Sequence, residues 1–335
     1  MAGHRVVVVT GASAGIGRAV ALIFARHGWN VALIARDRDG LESARREVEH
    51  AGAMALAIPA DVADAEAVLA AADRVVREWQ AIDVWVNNAM ATIFAPVSNM
   101  SPAEFRRATE VTYLGYVFGT LAALRHMRPR NSGTIVGVGS ALSYRAIPLQ
   151  AAYCGAKFAV RGFTDALRSE LQHERSGVRV TVVQLPAVNT PQFDWARNKL
   201  GFCTQPVPPI YQPEAVAEAI YWASQKVPRE VWVGVSALKA IIGNMMMPGL
   251  LDRILATRGY RDQITSISKP PDAPDNLFAP VSERHATHGR FDSLARANVS
   301  FFSASSVRCM AALAALIVAG FVAVGGAVLF QLMFG

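Results

Sequence analysis

The sequence contains little cysteine and little charge. Three cysteines (Cys154, Cys203 and Cys309) are spread over 335 residues, and this odd, widely spaced set argues against a disulfide framework and against a cysteine-based zinc site. Charged residues make up only 18% of the chain and hydrophobic residues 52%. A chain of this length and apolar content is neither disordered nor dependent on covalent cross-links for its core.

Clusters of one charge are also missing. The net charge is +7, from 33 lysines and arginines against 26 acidic residues, but no basic run carries interleaved aromatic residues. Nucleic acid is therefore not an expected partner, and attraction to an anionic membrane surface is the simpler interpretation of the excess. Residues 1–9 do not predict a secretion signal, because their apolar run is short and leads directly into a glycine turn.

Long hydrophobic runs are absent until residues 309–334, which contain no charge. A helix rises about 1.5 Å per residue, so this run exceeds the roughly 30 Å of a bilayer core. A buried core helix is the alternative, although core helices are usually shorter and carry a polar stripe. The run predicts a C-terminal transmembrane helix, and Arg290, Arg296 and Arg308 before it predict a cytoplasmic main domain. Alanines at every fourth position favour close packing of two such helices, and hence a homo-oligomer.

Residues 1–237 alternate β-rich runs with amphipathic helical stretches, which predicts one α/β domain. Valine, isoleucine and leucine runs separated by helices are typical of a parallel sheet covered on both faces, and the right-handed crossover rule makes it doubly wound. Ligands bind such sheets beyond the carboxyl ends of the strands. The predicted strands are Arg5–Val9, Asn30–Ala35, Met54–Pro59, Ile82–Val86, Thr134–Val138, Val178–Val183 and Val231–Val235.

Residues 238–308 predict a C-terminal extension, within which residues 268–290, rich in proline, aspartate and histidine, predict a poorly regular juxtamembrane linker. His285 and His288 are three positions apart in this linker. Without cysteine or carboxylate partners at ligand spacing, the pair does not predict a metal site.

A glycine-rich loop follows the first predicted strand. Residues 10–17 read T-G-A-S-A-G-I-G and open a helix. Glycines let the backbone turn sharply and approach a pyrophosphate, whose charge is stabilised at the N-terminus of the helix. Between the first strand and the first helix of an alternating α/β pattern, such a loop strongly predicts a dinucleotide site.

The end of the second predicted strand indicates which dinucleotide is bound. NAD-binding sheets usually have an acidic residue here for the ribose hydroxyls, whereas an arginine suits a 2′-phosphate. Ala35 stands where the acid is expected, and Arg36 follows it. The sequence therefore favours NADP(H), with NAD(H) left open because Arg36 could simply cap a surface.

Three side chains form a candidate catalytic set. Tyr153 and Lys157 are four positions apart and share one helix face, and Ser140 follows the predicted strand Thr134–Val138. An ammonium beside a phenol favours the phenolate and lowers its pKa, while a serine hydroxyl can hold a substrate oxygen. A tyrosine–lysine pair alone is most often a solvated pair, but here it accompanies the glycine loop and Ser140.

Together these motifs make the sequence similar to the short-chain dehydrogenases/reductases of the compact single-domain type, over roughly residues 5–237. Further matching motifs are Asp61-Val62, Asn87-Asn88-Ala89 and Y-C-G-A-K at 153–157. The resemblance implies a Rossmann-like fold and NAD(P)-linked interconversion of a carbonyl and an alcohol. It implies that Tyr153 is the general acid/base, that Lys157 binds the nicotinamide ribose and that Ser140 orients the substrate oxygen. The cofactor-binding residues that it implies are Gly11, Ser13, Gly15, Ile16, Gly17, Arg36, Asp61, Val62, Asn88, Tyr153, Lys157 and Thr190.

Three positions depart from the family pattern. Met90 replaces the glycine of the family's N-N-A-G, and Leu185-Pro186 replaces its Pro-Gly. In the segment Glu110–Gly115, Thr112 replaces the family's catalytic asparagine. Thr112 is expected to serve as a fourth catalytic residue, whose hydroxyl holds the water that the asparagine amide would otherwise organise.

The sequence thus predicts a membrane-tethered NADP(H)-dependent oxidoreductase acting on a lipophilic small molecule. Apolar and aromatic residues after Thr190 are expected to line the substrate pocket, namely Phe193, Trp195, Phe202 and Gln205–Pro209. The alternative hypothesis is a catalytically quiet NADP(H)-binding membrane protein that regulates a partner, which the departures at Thr112 and Met90 favour. The intact catalytic set favours the enzyme.

Overall fold

The chain has an α/β architecture, seen in a computed structural model that describes residues 5–270, 272–282, 285–310 and 312–313. The helices are α1 (Gly15–Arg26), α2 (Arg38–His50), α3 (Ala65–Trp79), α4 (Pro102–Thr109), α5 (Gly115–Met127), α6 (Ala151–His173), α7 (Gln192–Trp195), α8 (Pro213–Lys226), α9 (Val235–Met246) and α10 (Pro248–Arg261). The strands are β1 (Val6–Thr10), β2 (Asn30–Ala35), β3 (Ala55–Pro59), β4 (Val84–Asn87), β5 (Ile93–Phe94), β6 (Gly133–Ser140), β7 (Val178–Leu185), β8 (Ala187–Val188), β9 (Arg197–Asn198), β10 (Phe202–Thr204), β11 (Ile210–Tyr211), β12 (Glu230–Val233), β13 (Ile264–Ser268), β14 (Ala295–Arg296) and β15 (Phe301–Ser303).

Eight strands form the main sheet, in the order β15-β12-β7-β6-β4-β1-β2-β3. Neighbours pair in parallel except at one edge, where β15 runs antiparallel to β12. The predicted doubly wound parallel sheet is confirmed, and all seven predicted strands are present with their ends shifted by at most two residues. The order reverses between β1 and β4, so the chain crosses to opposite sides of the sheet there.

Helices cover both faces of the sheet because its central strands carry apolar side chains in both directions. In β1, Val7 and Val9 pack with α1, α2 and α8, while Val6 and Val8 pack with α3, α5 and α6 on the opposite face. All four valines are buried. A strand without a polar face belongs in the interior of a parallel sheet, and this leaves the loops at the strand ends free to form a site.

The extension folds back onto this domain. Helices α9 and α10 form a hairpin, β13 pairs with β10, β14 pairs with β11, and β15 completes the main sheet. Leu277 from the predicted linker and Phe291 directly after it are buried. The division between residues 237 and 238 stays a prediction, but the packing of the extension against the first domain was not foreseen.

The predicted transmembrane segment lies almost entirely outside the described residues. Residues 304–310 form a helix, and of the predicted segment 309–334 only 309, 310, 312 and 313 are described. Within the described part of the chain, no helix is both long enough and apolar enough to cross a membrane.

Candidate active site

Two adjoining cavities open at the carboxyl ends of the central strands, beside the reversal in strand order. The first, of about 180 Å³, lies over the glycine loop and the ends of β2 and β3. The second, of about 340 Å³, lies over the ends of β6 and β7. The cavities meet at a set of residues that line both, namely Ile16, Asn88, Met90, Thr190 and Gln192. A ligand in the first cavity can therefore reach a ligand in the second.

The glycine loop is shaped to receive an anion. Gly11 and Gly15 have positive φ angles of 67° and 57°, and a Cβ atom on Gly17 would lie 2.2 Å from the carbonyl oxygen of Gly11. Only glycine permits this approach. The backbone N–H groups of Ile16 and Gly17 form no hydrogen bond with any described residue. Such unpaired donors at a helix N-terminus attract negative charge.

Asn88 fixes the glycine loop against the end of β4. Its Nδ2 donates to the carbonyl oxygen of Thr10 at 2.9 Å, and its backbone N–H donates to the Thr10 hydroxyl oxygen at 2.9 Å. The Thr10 hydroxyl in turn donates to the carbonyl oxygen of Val86 at 3.3 Å. Asn88 thus shapes the loop and also lines both cavities.

Arg36 lies at the far end of the first cavity, as the sequence predicts. Its guanidinium donates to three backbone carbonyl oxygens of the extension, those of Asn276, Leu277 and Phe278, at 2.5, 3.4 and 3.2 Å. Burial lowers the pKa of Arg36, and the nearby carboxylate of Asp61 opposes this effect. Asp61, also predicted to bind cofactor, lines the cavity and forms an ion pair with Arg107.

A segment of the extension, residues 276–282 and 285–286, covers this end of the cavity; we term it the covering segment. Its residues Asn276, Pro280, Val281 and His285 line the cavity. The carbonyl oxygen of Ala286 accepts from the Gly15 N–H at 2.9 Å, and that of His285 accepts from Arg18 at 2.9 Å. No local pattern in the sequence marks this stretch, because its partners lie far away along the chain.

The two histidines of the extension each lie close to carboxylates. His285 Nε2 lies 2.9 Å from Oδ1 of Asp37, the residue that caps α2. His288 lies 2.9 Å from both Glu214 and Asp292. No group of three metal-ligating side chains is found among the described residues.

The predicted catalytic set comes together in the second cavity. Ser140 ends β6, Tyr153 and Lys157 lie on α6, and all three line the cavity. Lys157 Nζ donates to the carbonyl oxygen of Val138 at 2.6 Å and lies 5.6 Å from the centre of the Tyr153 ring. Ser140 Oγ accepts from the Leu142 N–H at 3.1 Å. A serine hydroxyl keeps its proton for a second partner when its oxygen is used this way.

Burial governs the pKa values of this set. It raises the pKa of Tyr153 above its usual value, and the hydrogen bond with Ser140 opposes that rise only in part. It lowers the pKa of Lys157 to about 8. The pKa of Tyr153 thus departs in the opposite direction from the lowering that the sequence predicts from Lys157, because burial disfavours the phenolate.

Thr112 lies in a π-helical turn, Glu110–Leu114, between α4 and α5. Its buried hydroxyl accepts from the Ala91 N–H at 2.9 Å and donates to the Ala91 carbonyl oxygen at 3.0 Å. Because a hydroxyl has one proton, this bond leaves none for a water. The structure therefore places Thr112 as a support for the segment that carries Asn88 and Met90, and its catalytic role stays a prediction.

Gln184, which the sequence analysis missed, supports Ser140 from the neighbouring strand. Its Oε1 accepts from the Ser140 N–H at 2.7 Å and from the Ser143 hydroxyl at 3.1 Å. A Cβ atom on Gly139 would lie 2.3 Å from this oxygen. The Gln184 amide can occupy its position only because Gly139 has no side chain. The signal available in the sequence was a glutamine directly after the predicted strand Val178–Val183, and the structure buries this residue at the end of β7.

Glu230, also missed, fixes the other side of Gln184. It lies on β12 and accepts from Gln184 Nε2 at 2.7 Å and from the Tyr144 hydroxyl at 2.7 Å. Arg308, just before the predicted transmembrane segment, has its guanidinium 3.5 Å from the same carboxylate. A buried carboxylate needs such donors to remain charged.

The lining of the second cavity agrees only in part with the prediction. Phe193 and residues 205–208 line it, whereas Trp195 lines the first cavity and Phe202 is exposed. The hairpin α9–α10, which the sequence analysis did not include, contributes much of the wall through Ala237, Ala240, Leu251, Leu255 and Arg258. The lining is mainly apolar.

The residues of the first cavity fit a nicotinamide dinucleotide. The glycine loop offers close backbone approach and unpaired N–H groups for a pyrophosphate, and the shared residues lead towards the catalytic set. Most of the predicted cofactor-binding residues line the first cavity, namely Gly11, Ser13, Gly15, Ile16, Arg36, Asp61, Val62, Asn88 and Thr190. Tyr153 and Lys157 line the second cavity, and Gly17 contributes through its contact with Gly11.

The chain is similar in sequence and in structure to known oxidoreductases. The oxidoreductase YxnA of Bacillus subtilis (strain 168) is 32% identical over 278 residues, which cover 82% of this chain and 78% of that protein. The 3beta-hydroxysteroid dehydrogenase 1 of Eggerthella lenta is 32% identical over 225 residues, 65% of this chain and 85% of its own. The crystal structure of a metagenomic short-chain oxidoreductase in complex with NADP matches with a TM-score of 0.56 at 27% identity, over 66% of this chain and 90% of that one.

A family model described as short chain dehydrogenase matches residues 5–200, more than half of the chain. The match includes the glycine loop, Ser140, Tyr153 and Lys157, and the fold has the parallel sheet that the motifs require. The chain therefore belongs to the short-chain dehydrogenase/reductase family and is an NAD(P)-dependent oxidoreductase.

Proposed function

We propose that this protein is a membrane-tethered, NADP(H)-preferring oxidoreductase that interconverts a carbonyl and an alcohol on a lipophilic small molecule. The observation that carries the proposal is the convergence of Ser140, Tyr153 and Lys157 in the second cavity, beside the residues that it shares with the first. The apolar wall around this polar set fits a substrate with one reactive oxygen and little other polarity.

The bound nicotinamide cofactor supplies or accepts the hydride. The chain's own residues control the proton and the substrate oxygen. Since burial keeps the Tyr153 phenol protonated, its O–H can donate to a carbonyl oxygen as negative charge develops there. The Ser140 hydroxyl donates a hydrogen bond to the same oxygen and keeps its proton. The Lys157 ammonium stabilises the phenolate that remains when the Tyr153 proton has left.

The position of Ser140 depends on the orientation of Gln184. A glutamine amide presents donors on one side and an acceptor on the other, so either side could face the Ser140 N–H. Glu230, as a carboxylate, only accepts, and it therefore holds Nε2 towards itself and Oε1 towards Ser140. We assign Glu230 as a positioning residue that acts through Gln184.

The preference for NADP(H) rests on Arg36. A guanidinium has five N–H donors, and three hydrogen bonds to the covering segment are recorded for it. Donors thus remain for a 2′-phosphate in the cavity that Arg36 lines. Ala35 offers no acid to a ribose diol, and the carboxylate of Asp37 already accepts from the Gly40 N–H of α2 and from the Ser282 hydroxyl. NAD(H) remains an acceptable, weaker cofactor.

The tether and the location are proposals from the sequence. The uncharged run 309–334 is long enough to span a bilayer, and the arginines before it favour a cytoplasmic catalytic domain. Alanines at every fourth position of this run favour self-association of two such spans. They are Ala311, Ala315, Ala319, Ala323 and Ala327. An apolar substrate would itself partition into the membrane to which the enzyme is tethered.

A catalytically quiet NADP(H)-binding protein that regulates a partner is the second candidate, favoured by the departures at Met90 and Thr112. Such a protein would bind NADPH and oxidise it with none of a panel of aldehydes and ketones. The proposed enzyme oxidises NADPH with at least one lipophilic member of that panel.

Replacing Tyr153 by Phe removes the proton donor and leaves the first cavity intact. Turnover with the best substrate of the panel should fall by about 10²–10⁴-fold or more, the usual contribution of proton transfer. The affinity for NADPH, measured by fluorescence titration, should change little. Near-normal turnover of Tyr153→Phe would show that another group supplies the proton.

Replacing Glu230 by Gln lets the Gln184 amide turn, because the new amide can donate as well as accept. The value of kcat should fall about tenfold, which corresponds to about 1.4 kcal/mol of barrier, with an unchanged Kd for NADPH. Tyr144→Phe is the matched control, since it removes another donor to Glu230 without touching Gln184, and it should retain most of the activity. Equal kcat values for the two variants would contradict the positioning role.

Replacing Arg36 by Ala should weaken NADPH binding by about 1.5–3 kcal/mol, the range for a hydrogen bond to a charged group, and leave NADH binding nearly unchanged. Arg38→Ala is the matched control, because Arg38 is an exposed arginine two positions away that does not line the cavity. The measurement is the Kd of NADPH and of NADH, obtained by titrating each cofactor against each variant. Equal affinity of the unmodified protein for NADPH and NADH would show that Arg36 does not recognise the 2′-phosphate.

Two lysines in the middle of the predicted span should abolish the tether, since each costs about 2.5–3.5 kcal/mol at the centre of a bilayer. The full chain should stay with membranes after an alkaline wash, and the variant with Val318→Lys and Val322→Lys should be released. Val318→Leu with Val322→Leu is the apolar control and should stay. Retention of the double lysine variant would contradict a transmembrane tether.

A further inference from the structure

The hairpin α9–α10 ends in an exposed apolar tip, residues 245–250. All six consecutive residues are exposed, and the large side chains among them, Met245, Met246, Met247 and Leu250, are 56%, 71%, 53% and 49% exposed. Ile254, one helical turn after Leu250 and on the same face, is 37% exposed. Contiguous apolar exposure of this kind marks an interaction site.

The tip belongs to the element that walls the substrate cavity. At the base of the hairpin, Ile241 of α9 is fully buried, and Leu251 and Leu255 of α10 line the second cavity. The inner side of the hairpin thus has its partners within the domain, while the tip projects away from them. Whatever covers the tip lies next to the wall of the substrate site.

The charges on the hairpin indicate an anionic partner. Lys239 and Arg253 are exposed, and neither forms an ion pair with a described residue. The acidic residues of the hairpin region, Asp252 and Asp262, are paired with Arg145 and Arg261. A tip-to-tip contact between two copies would bring the unpaired cations together, whereas anionic lipid headgroups would neutralise them.

The end of the described chain lies beside the same hairpin. Ala304 and Val307, from the helix 304–310, share an apolar cluster with Leu238, Ile241 and Ile242 of α9. Met310, the last residue of this helix, and Leu313 are exposed, and they belong to the uncharged run that ends at residue 334. The apolar run therefore starts next to α9.

We propose that the tip, residues 245–250, inserts into the interfacial region of an anionic phospholipid bilayer and holds the substrate cavity at the membrane surface. Methionine and leucine side chains on a short turn can bury their apolar surface at the boundary between headgroups and acyl chains, at a depth of about 5–10 Å. Lys239 and Arg253 contact the headgroups. This inference deepens the membrane part of the proposed function and assigns a second contact, separate from the tether.

The test uses the full chain with vesicles of phosphatidylcholine and phosphatidylserine. An environment-sensitive fluorophore is attached to a single new cysteine at Met246, Met54 or Leu329, with Cys203 and Cys309 replaced by Ser; Cys154 is buried. Met54 is the matched control, because it is a methionine with 53% exposure that precedes β3 at the opposite edge of the sheet. Leu329 reports on the tether.

On addition of vesicles, the emission of the label at Met246 should shift to the blue. Lipids that carry a spin label near the headgroup should quench its fluorescence. The label at Met54 should show neither change. With vesicles of phosphatidylcholine alone, the quenching at Met246 should be weaker.

Quenching at Leu329 without more quenching at Met246 than at Met54 would overturn the inference and leave the tether. Quenching at Met246 without quenching at Leu329 would support the inference and overturn the tether. A blue shift at Met246 before vesicles are added would assign the tip to a second copy of the chain and overturn the inference.

Discussion

The close approach between the first turn of α1 and the end of β1 is the contact on which the site depends. With 2.2 Å between the carbonyl oxygen of Gly11 and a Cβ atom placed on Gly17, any side chain there would push the helix away from the sheet. The helix N-terminus would then lose its place over the first cavity. Asn88 bonds to this same turn, so a displaced loop would also disturb the residues shared by the two cavities. One steric constraint thus connects dinucleotide binding to the second cavity.

The parts of the site that sequence reasoning found are those fixed by local geometry. A glycine loop between strand and helix, a serine at a strand end and a tyrosine–lysine pair one turn apart each reveal their placement within a few residues. The parallel sheet followed from the apolar runs, because a strand buried on both faces needs apolar residues in both directions. These features lie close in sequence to the atoms that they position, and short windows of sequence were enough to predict them.

The parts that were missed depend on contacts between distant segments. Gln184 and Glu230 meet only because β7 and β12 are neighbours in the sheet. The carbonyl oxygens that accept hydrogen bonds from Arg36 belong to a stretch that the sequence predicts as a linker. The pKa of Tyr153 was expected to fall because Lys157 is near in sequence. It rises because burial, which only the folded chain creates, disfavours the phenolate. Burial and long-range pairing are the two quantities that spacing alone does not provide.

The network around Glu230 connects the reaction site to the end of the described chain. Its carboxylate accepts from Gln184, which holds Ser140, and lies 3.5 Å from Arg308. Arg308 also lies over the Trp232 ring, with its guanidinium carbon 5.4 Å from the ring centre. Because one buried charge satisfies partners on both sides, a shift of the helix 304–310 would change the donors available to Glu230. The same carboxylate therefore contacts both the residue that supports Ser140 and the helix 304–310.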